Sequence, residues 1–186
     1  MTAMVVLGSG LPLDEPVTIT REDRDLLKLT GSRLAYGATL SREEMVRIAL
    51  MASENRAASA LARTYPGGKE AFVRAMNAKA KELGMHHSRF ADSTGLHAGN
   101  RASARDLERM VRAAYRYPLI REATTTERAL VHPYSDRGPL RYGNTNRLLR
   151  NEGWRIELSK TGYINESGRC LVMHADIAEQ PLVIVF

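Results

Sequence analysis

The sequence holds a single cysteine, Cys170, so no intrachain disulfide can form. Its neighbours Leu171 and Val172 predict a small buried hydrophobe there, and the redox compartment stays open. No run of about 18 apolar residues exists, which excludes a membrane-spanning helix by hydropathy. The opening run Met1-Thr-Ala-Met-Val-Val-Leu7 is apolar, yet too short for a secretory signal and not preceded by a basic stretch. Internal repeats and low-complexity tracts are absent. The histidines at 86, 87, 97, 132 and 174 show no metal-ligand spacing, so neither metal nor cofactor is implied. Acidic charge is in short supply: 21 Asp and Glu face 27 Lys and Arg, a net charge of +6. That balance suits an anionic partner, either nucleic acid or an anionic cell envelope, or a plainly solvated surface.

The 186 residues fit one domain, 1–186, with room for two lobes around a substantial core. Helical patterns dominate to about residue 128. Ser41-Arg-Glu-Glu44 reads as a capping box opening a helix whose Met45, Ile48, Ala49 and Ala52 share a face. Lys69 to Leu83 is amphipathic, with Phe72, Val73, Met76 and Ala80 inward and Gly84 as a left-handed cap. Ser103 opens another helix, ending before Pro118, with Leu107, Met110, Val111 and Ala114 inward. From about 129 to 186 the period becomes strand-like, at Ala129–His132, Trp154–Ser159, Arg169–Ala175 and Leu182–Phe186. Val17–Thr20 reads as an earlier short strand.

The stretch Ala49 to Ala62 is almost wholly small or apolar, but Ser53, Glu54, Asn55 and Arg56 interrupt it. A buried hydroxyl or amide without a partner costs on the order of a few kcal/mol. The pattern therefore predicts helix, tight turn, helix, with the turn facing something polar. Far downstream, Lys160-Thr161-Gly162 offers an ammonium, a hydroxyl and a residue without Cβ at a strand end, ahead of a turn at Asn165–Gly168. That trio suits a bound anion and a ligand backbone at close approach. Each motif alone also fits a structural role: helix caps for Ser53 and Asn55, a polar strand end with a hairpin glycine for Lys160–Gly162. Together and in this order they match two elements of a serine-acylase signature made of Ser-x-x-Lys, Ser-x-Asn and Lys-Thr-Gly. The first element is missing. The residues three before the lysines at 28, 69, 79, 81 and 160 are Asp25, Pro66, Met76, Ala78 and Glu157.

On these motifs the chain resembles the low-molecular-mass penicillin-binding proteins, the serine D-alanyl-D-alanine peptidases, and most nearly their penicillin-binding protein 7/8 type of endopeptidase. Met1–Leu7, Ser53–Ala58, Tyr65–Gly68, Ala75–Lys81, Leu83–Met85, Ala104–Leu107, Asn144–Asn146, Lys160–Gly162 and Cys170–Met173 carry the resemblance. It implies an α/β (α+β) fold, a helical lobe packed on an antiparallel sheet, incomplete at both termini. In that family Ser-x-x-Lys directly precedes the segment matching Met1–Leu7, and a closing strand and helix follow the last strand here. The implied reaction is acyl-enzyme hydrolysis of peptidoglycan peptides in the periplasm, with β-lactams binding the complete enzyme. Ser53 would relay a proton and Asn55 bond the substrate amide. Lys160 would hold an anionic group, with Thr161 on the substrate carboxylate. The Tyr163 N–H would be half of the oxyanion hole.

Two alternatives stand beside this expectation. One is a non-catalytic peptidoglycan- or partner-binding protein that kept the pocket. The other is a nucleic-acid binder using Arg105, Arg109, Arg112 and Arg116, but no helix-turn-helix pattern or aromatic-rich recognition strand accompanies that basic face. Two further expectations follow from the resemblance. These 186 residues should form no penicillin adduct by themselves, and strand edges left unpaired should favour a molten or poorly soluble chain.

Overall fold

A computed structural model describes residues 1–151 and 153–186. Its helices are α1 (Thr2–Leu7), α2 (Arg42–Met51), α3 (Asn55–Arg63), α4 (Gly68–Glu82), α5 (Ala104–Ala114) and α6 (Pro118–Thr125). Its strands are β1 (Pro16–Thr18), β2 (Thr39–Ser41), β3 (Arg128–Val131), β4 (Leu140–Gly143), β5 (Arg155–Ile164), β6 (Gly168–Ile177) and β7 (Gln180–Val185). They pair antiparallel as β1-β2, β3-β4 and β5-β6-β7.

The local signals act as their chemistry dictates. Ser41 Oγ accepts from the Glu44 N–H at 3.2 Å, and the Glu44 carboxylate accepts from the Ser41 N–H at 2.9 Å. That closed box starts α2. Met45, Val46, Ile48 and Met51 are buried along it, and α2 lies between α3 and α6 at the centre of the core. Phe72, Met76 and Ala80 bury one side of α4, and Gly84 takes φ +70° just beyond its end. Ser103 Oγ caps α5 by accepting from the Asp106 N–H at 3.2 Å. Helices α5 and α6 lie against the three-stranded sheet, joined to it where the Tyr115 hydroxyl donates to Glu157 at 2.8 Å.

Several elements differ from the sequence expectation. Pro118 does not merely end a helix. It opens α6 at the first-turn position, where its missing N–H costs nothing. Strand β4, Leu140-Arg-Tyr-Gly143, was not among the sequence expectations: its alternation is only four residues long, and β3 pairs with it from Arg128↔Gly143 to Val131↔Leu140. Lys160–Gly162 lies inside β5 rather than after a strand, because β6 continues opposite it as far as Ile164↔Gly168. Cys170 is exposed, not buried. It sits at the hairpin end of β5 and β6, where Asn165, Glu166, Ser167 and Arg169 are exposed too, so its apolar neighbours in sequence do not become a covering layer.

Candidate active site

The junction of α2 and α3 supplies the first wall. Ser53 sits there at φ +54°, a left-handed conformation that a side chain with a Cβ adopts at some cost. Glu54 holds the turn in place. It is buried at 6% exposure, and its carboxylate accepts from Ser32 Oγ at 2.6 Å, Tyr142 Oη at 3.3 Å and the Arg56 N–H at 3.2 Å. It thereby serves as the N-cap of α3. Burial, then the Glu54 charge and hydrogen bond, raise the Tyr142 hydroxyl well above its usual range, so it stays a donor. The motif's variable middle residue is thus the anchor of the turn. Only its place in an apolar run hinted at that.

β5 supplies the second wall. The Lys160 ammonium donates to Ser53 Oγ and, at 2.8 Å, to the Thr161 carbonyl. Burial pushes Lys160 down to about 8, because a desolvated ammonium is the costlier form. Thr161 Oγ1 lies 2.6 Å from Thr145 Oγ1, and the Thr145 N–H donates to Met51 O at 3.0 Å. Thr145 was not singled out in the sequence. Its signal was the Asn-x-Asn around it: Asn144 Oδ1 accepts from the Asn146 N–H at 2.9 Å and Asn146 Oδ1 from the Leu148 N–H at 3.0 Å, a self-braced turn. A Cβ added at Gly162 would meet only Cys170 Cβ at 3.8 Å, an ordinary contact. The fold alone thus has no steric need of that glycine. Tyr163 is 64% exposed.

Asn55 Nδ2 donates to Thr30 Oγ1 at 3.1 Å. Ser53, Asn55, Lys160, Thr161, Gly162 and Tyr163 all line one groove of about 960 Å³, with Thr94–Leu96 also on its wall. Met1 and Thr2, at the start of α1, share an adjoining cavity of about 230 Å³ with Ser53, Asn55 and Lys160. The six residues singled out in the sequence are therefore brought together. Among the described residues no cluster of three or more His, Cys, Asp or Glu is assembled as for a metal ion, and no helix is long and apolar enough to cross a membrane.

A family model described as D-alanyl-D-alanine carboxypeptidase, peptidase family S11, matches residues 1–186. The chain belongs to the S11 peptidase family. A D-alanyl-D-alanine endopeptidase of Pseudomonas aeruginosa is 47% identical over 185 residues, covering 100% of this chain and 60% of that protein. One from Escherichia coli K12 is 44% identical with the same coverage. This S11 chain thus spans about 60% of the length of those relatives. The Streptomyces K15 DD-transpeptidase superposes with a TM-score of 0.88 at 27% identity, over 99% of this chain and 76% of that one. A D-alanyl-D-alanine carboxypeptidase from Mycobacterium tuberculosis gives 0.84 at 28% identity, over 100% and 70%. The fold is that of the DD-peptidases, helices packed on antiparallel sheet. No comparison favours the non-catalytic binder.

Proposed function

We propose that this S11 chain carries the second and third catalytic motifs of a serine D-alanyl-D-alanine peptidase acting on peptidoglycan peptides outside the cytoplasm, in the periplasm. The observation that carries the reading is the hydrogen bond between Lys160 and Ser53, which lie 107 residues apart, inside the groove lined by Asn55 and Thr161. The mechanism is acyl transfer. A serine nucleophile attacks the carbonyl of D-alanine, the amine on its far side leaves, and water releases the acyl group. These residues contain no Ser-x-x-Lys, so the reading draws its nucleophile and base from outside them.

Each role has a physical basis. Because Lys160 donates to Ser53 Oγ, the Ser53 hydroxyl keeps its own proton free to pass to a leaving amine. Asn55 offers an amide to the substrate backbone once Thr30 yields. Thr161 Oγ and the Lys160 charge receive the carboxylate beside the leaving nitrogen. β5 is an edge strand, so alternate N–H groups on its outer side have no strand partner. That suits an oxyanion donor at Tyr163. Two relatives named endopeptidases, at 47% and 44% identity, favour cleavage within a cross-link over release of a terminal residue.

The test is intact mass of the full-length protein after incubation with benzylpenicillin. One covalent adduct per chain is expected, retained by a Thr161→Val variant at a slower rate. No adduct on the full-length protein overturns the proposal.

A further inference from the structure

We propose that residues 24–31 form a hinged strap that latches onto both walls of the groove, through Lys28 to Glu166 and through Thr30 to Asn55, and that it must swing off before a substrate can enter. The inference rests on the peptidase reading and adds to it a conformational step: a closed state in equilibrium with an open one.

The strap is fixed at its ends and loose between them. Before it, Asp23 is buried, and its carboxylate accepts from Arg63 Nε at 3.0 Å, Arg63 Nη2 at 2.9 Å and the Thr20 N–H at 2.8 Å. After it, Ser32 Oγ donates to the buried Glu54 at 2.6 Å. In between, the Asp25 carboxylate accepts from the Leu27, Lys28 and Thr30 N–H groups at 2.8, 3.0 and 2.8 Å. Residues 25–30 therefore hold their own shape and move as one piece. They are not packed down onto the core. Leu26, Leu27 and Leu29 are exposed, and a cavity of about 600 Å³ is lined by Arg24–Leu27 on one side and by Ser59, Ala62 and Val73 of α3 and α4 on the other. A segment with few buried apolar contacts opens readily. At its far end Gly31 has nothing within 4 Å of where a Cβ would stand, which leaves free space for a hinge.

Among the described residues, only two hydrogen bonds lead from 25–30 to the rest of the chain, and each ends on a different wall. The Lys28 ammonium donates to the Glu166 carboxylate, in the turn between β5 and β6 and 138 residues away. The Thr30 hydroxyl accepts from Asn55 Nδ2 at 3.1 Å, at the first residue of α3. Thr30 itself lines the groove. The Asn55 amide is the one offered to the substrate backbone, and in the closed state it is already taken. Strap and substrate therefore compete for Asn55. The ion pair sets how often the strap is shut. Its two side chains are 27% and 47% exposed, and a pair so placed biases an equilibrium by about fivefold at most. That is enough to slow entry and too little to block it. A strap closed for part of the time weakens the apparent affinity of every ligand in proportion to the open fraction.

The experiment follows acylation of the full-length protein by benzylpenicillin over a concentration series, which separates apparent affinity from maximal rate. Lys28→Glu and Glu166→Lys each set like charges against one another at the latch. Both side chains are partly exposed, so neither reversal disturbs the core. The two change the charge beside the groove in opposite senses. A direct effect on the anionic penicillin therefore moves them apart, whereas release of the latch moves both towards tighter affinity. Their logarithmic mean is expected to tighten by about three- to fivefold, with the maximal rate unchanged. Lys28→Glu/Glu166→Lys puts opposite charges back and is expected to return to within about twofold of wild type. A mean that stays put or weakens, or a double reversal that does not return, overturns the inference while the peptidase reading stands. A wild-type protein that takes up no penicillin at any concentration overturns both.

Discussion

Lys160 shows how much a single residue's surroundings set its chemistry. Its ammonium is pushed down to about 8 from an ordinary 10.5, by burial. Between those two values the unfolded chain binds more protons than the folded one, so Lys160 makes stability rise with pH across that window. Below about 8 the cost of burying its charge is felt in full. Anion binding runs the other way, since the charge is present below about 8 and lost above it. The expected outcome is an alkaline limb in kcat/KM near that value, matched by titration of the Lys160 side-chain carbons in an NMR experiment on the full-length protein. A Lys160 titrating at its ordinary value would remove the physical basis for this limb.

The α2–α3 junction decides matters at the scale of elements. A left-handed Ser53 persists because Glu54 fastens the turn from behind, to Ser32, Tyr142 and the first turn of α3. Glu54→Ala removes the acceptor for all three donors. The expected loss is about 1–3 kcal/mol, the usual cost of leaving buried polar groups unsatisfied. Glu54→Gln keeps the volume and one acceptor oxygen and should lose less. Calorimetric melting of both variants orders them. An Ala variant that melts with the wild type would mean that the turn is held by its backbone alone. The sequence made the helix–turn–helix visible, since four polar residues in an apolar run can hardly be anything else. The exact cap was not visible. Ser and Asn are the usual caps, whereas Glu54 takes the position because Ser32 and Tyr142, from distant parts of the chain, turn a carboxylate there into an asset.

Across the whole molecule, the helices meet the sheet through a polar contact at Tyr115. Its hydroxyl donates to Glu157, its ring stacks on His174 at 4.3 Å between centroids, and the Arg121 guanidinium lies 5.0 Å from that ring's centre. The Glu157 hydrogen bond, then burial, raises the Tyr115 hydroxyl above its usual range. Tyr115→Phe keeps the stack and drops the bond. Because Glu157 still has Arg155 at 3.4 Å, the expected cost is modest, about 1 kcal/mol. It should appear as a lower urea midpoint with an unchanged slope. A changed slope would mean instead that helices and sheet unfold separately.

The sequence by itself determined what depends on neighbours a few residues away. The capping box at Ser41, the buried side of α4, the left-handed Gly84 and the helix–turn–helix at Ser53 are all short-range consequences of side-chain chemistry and period. The motifs Ser53-x-Asn55 and Lys160-Thr-Gly162 were legible for the same reason. Tertiary structure alone decided what depends on partners far along the chain. It ran Lys160 into the middle of β5, because β6 lies opposite. It exposed Cys170, because no layer covers that hairpin end. It brought Thr145 to Thr161, and it tied Lys28 to Glu166 at the tip of the β5–β6 hairpin. Hydrogen-bond partners and local charge balance are properties of positions in space, and no window along the sequence contains them.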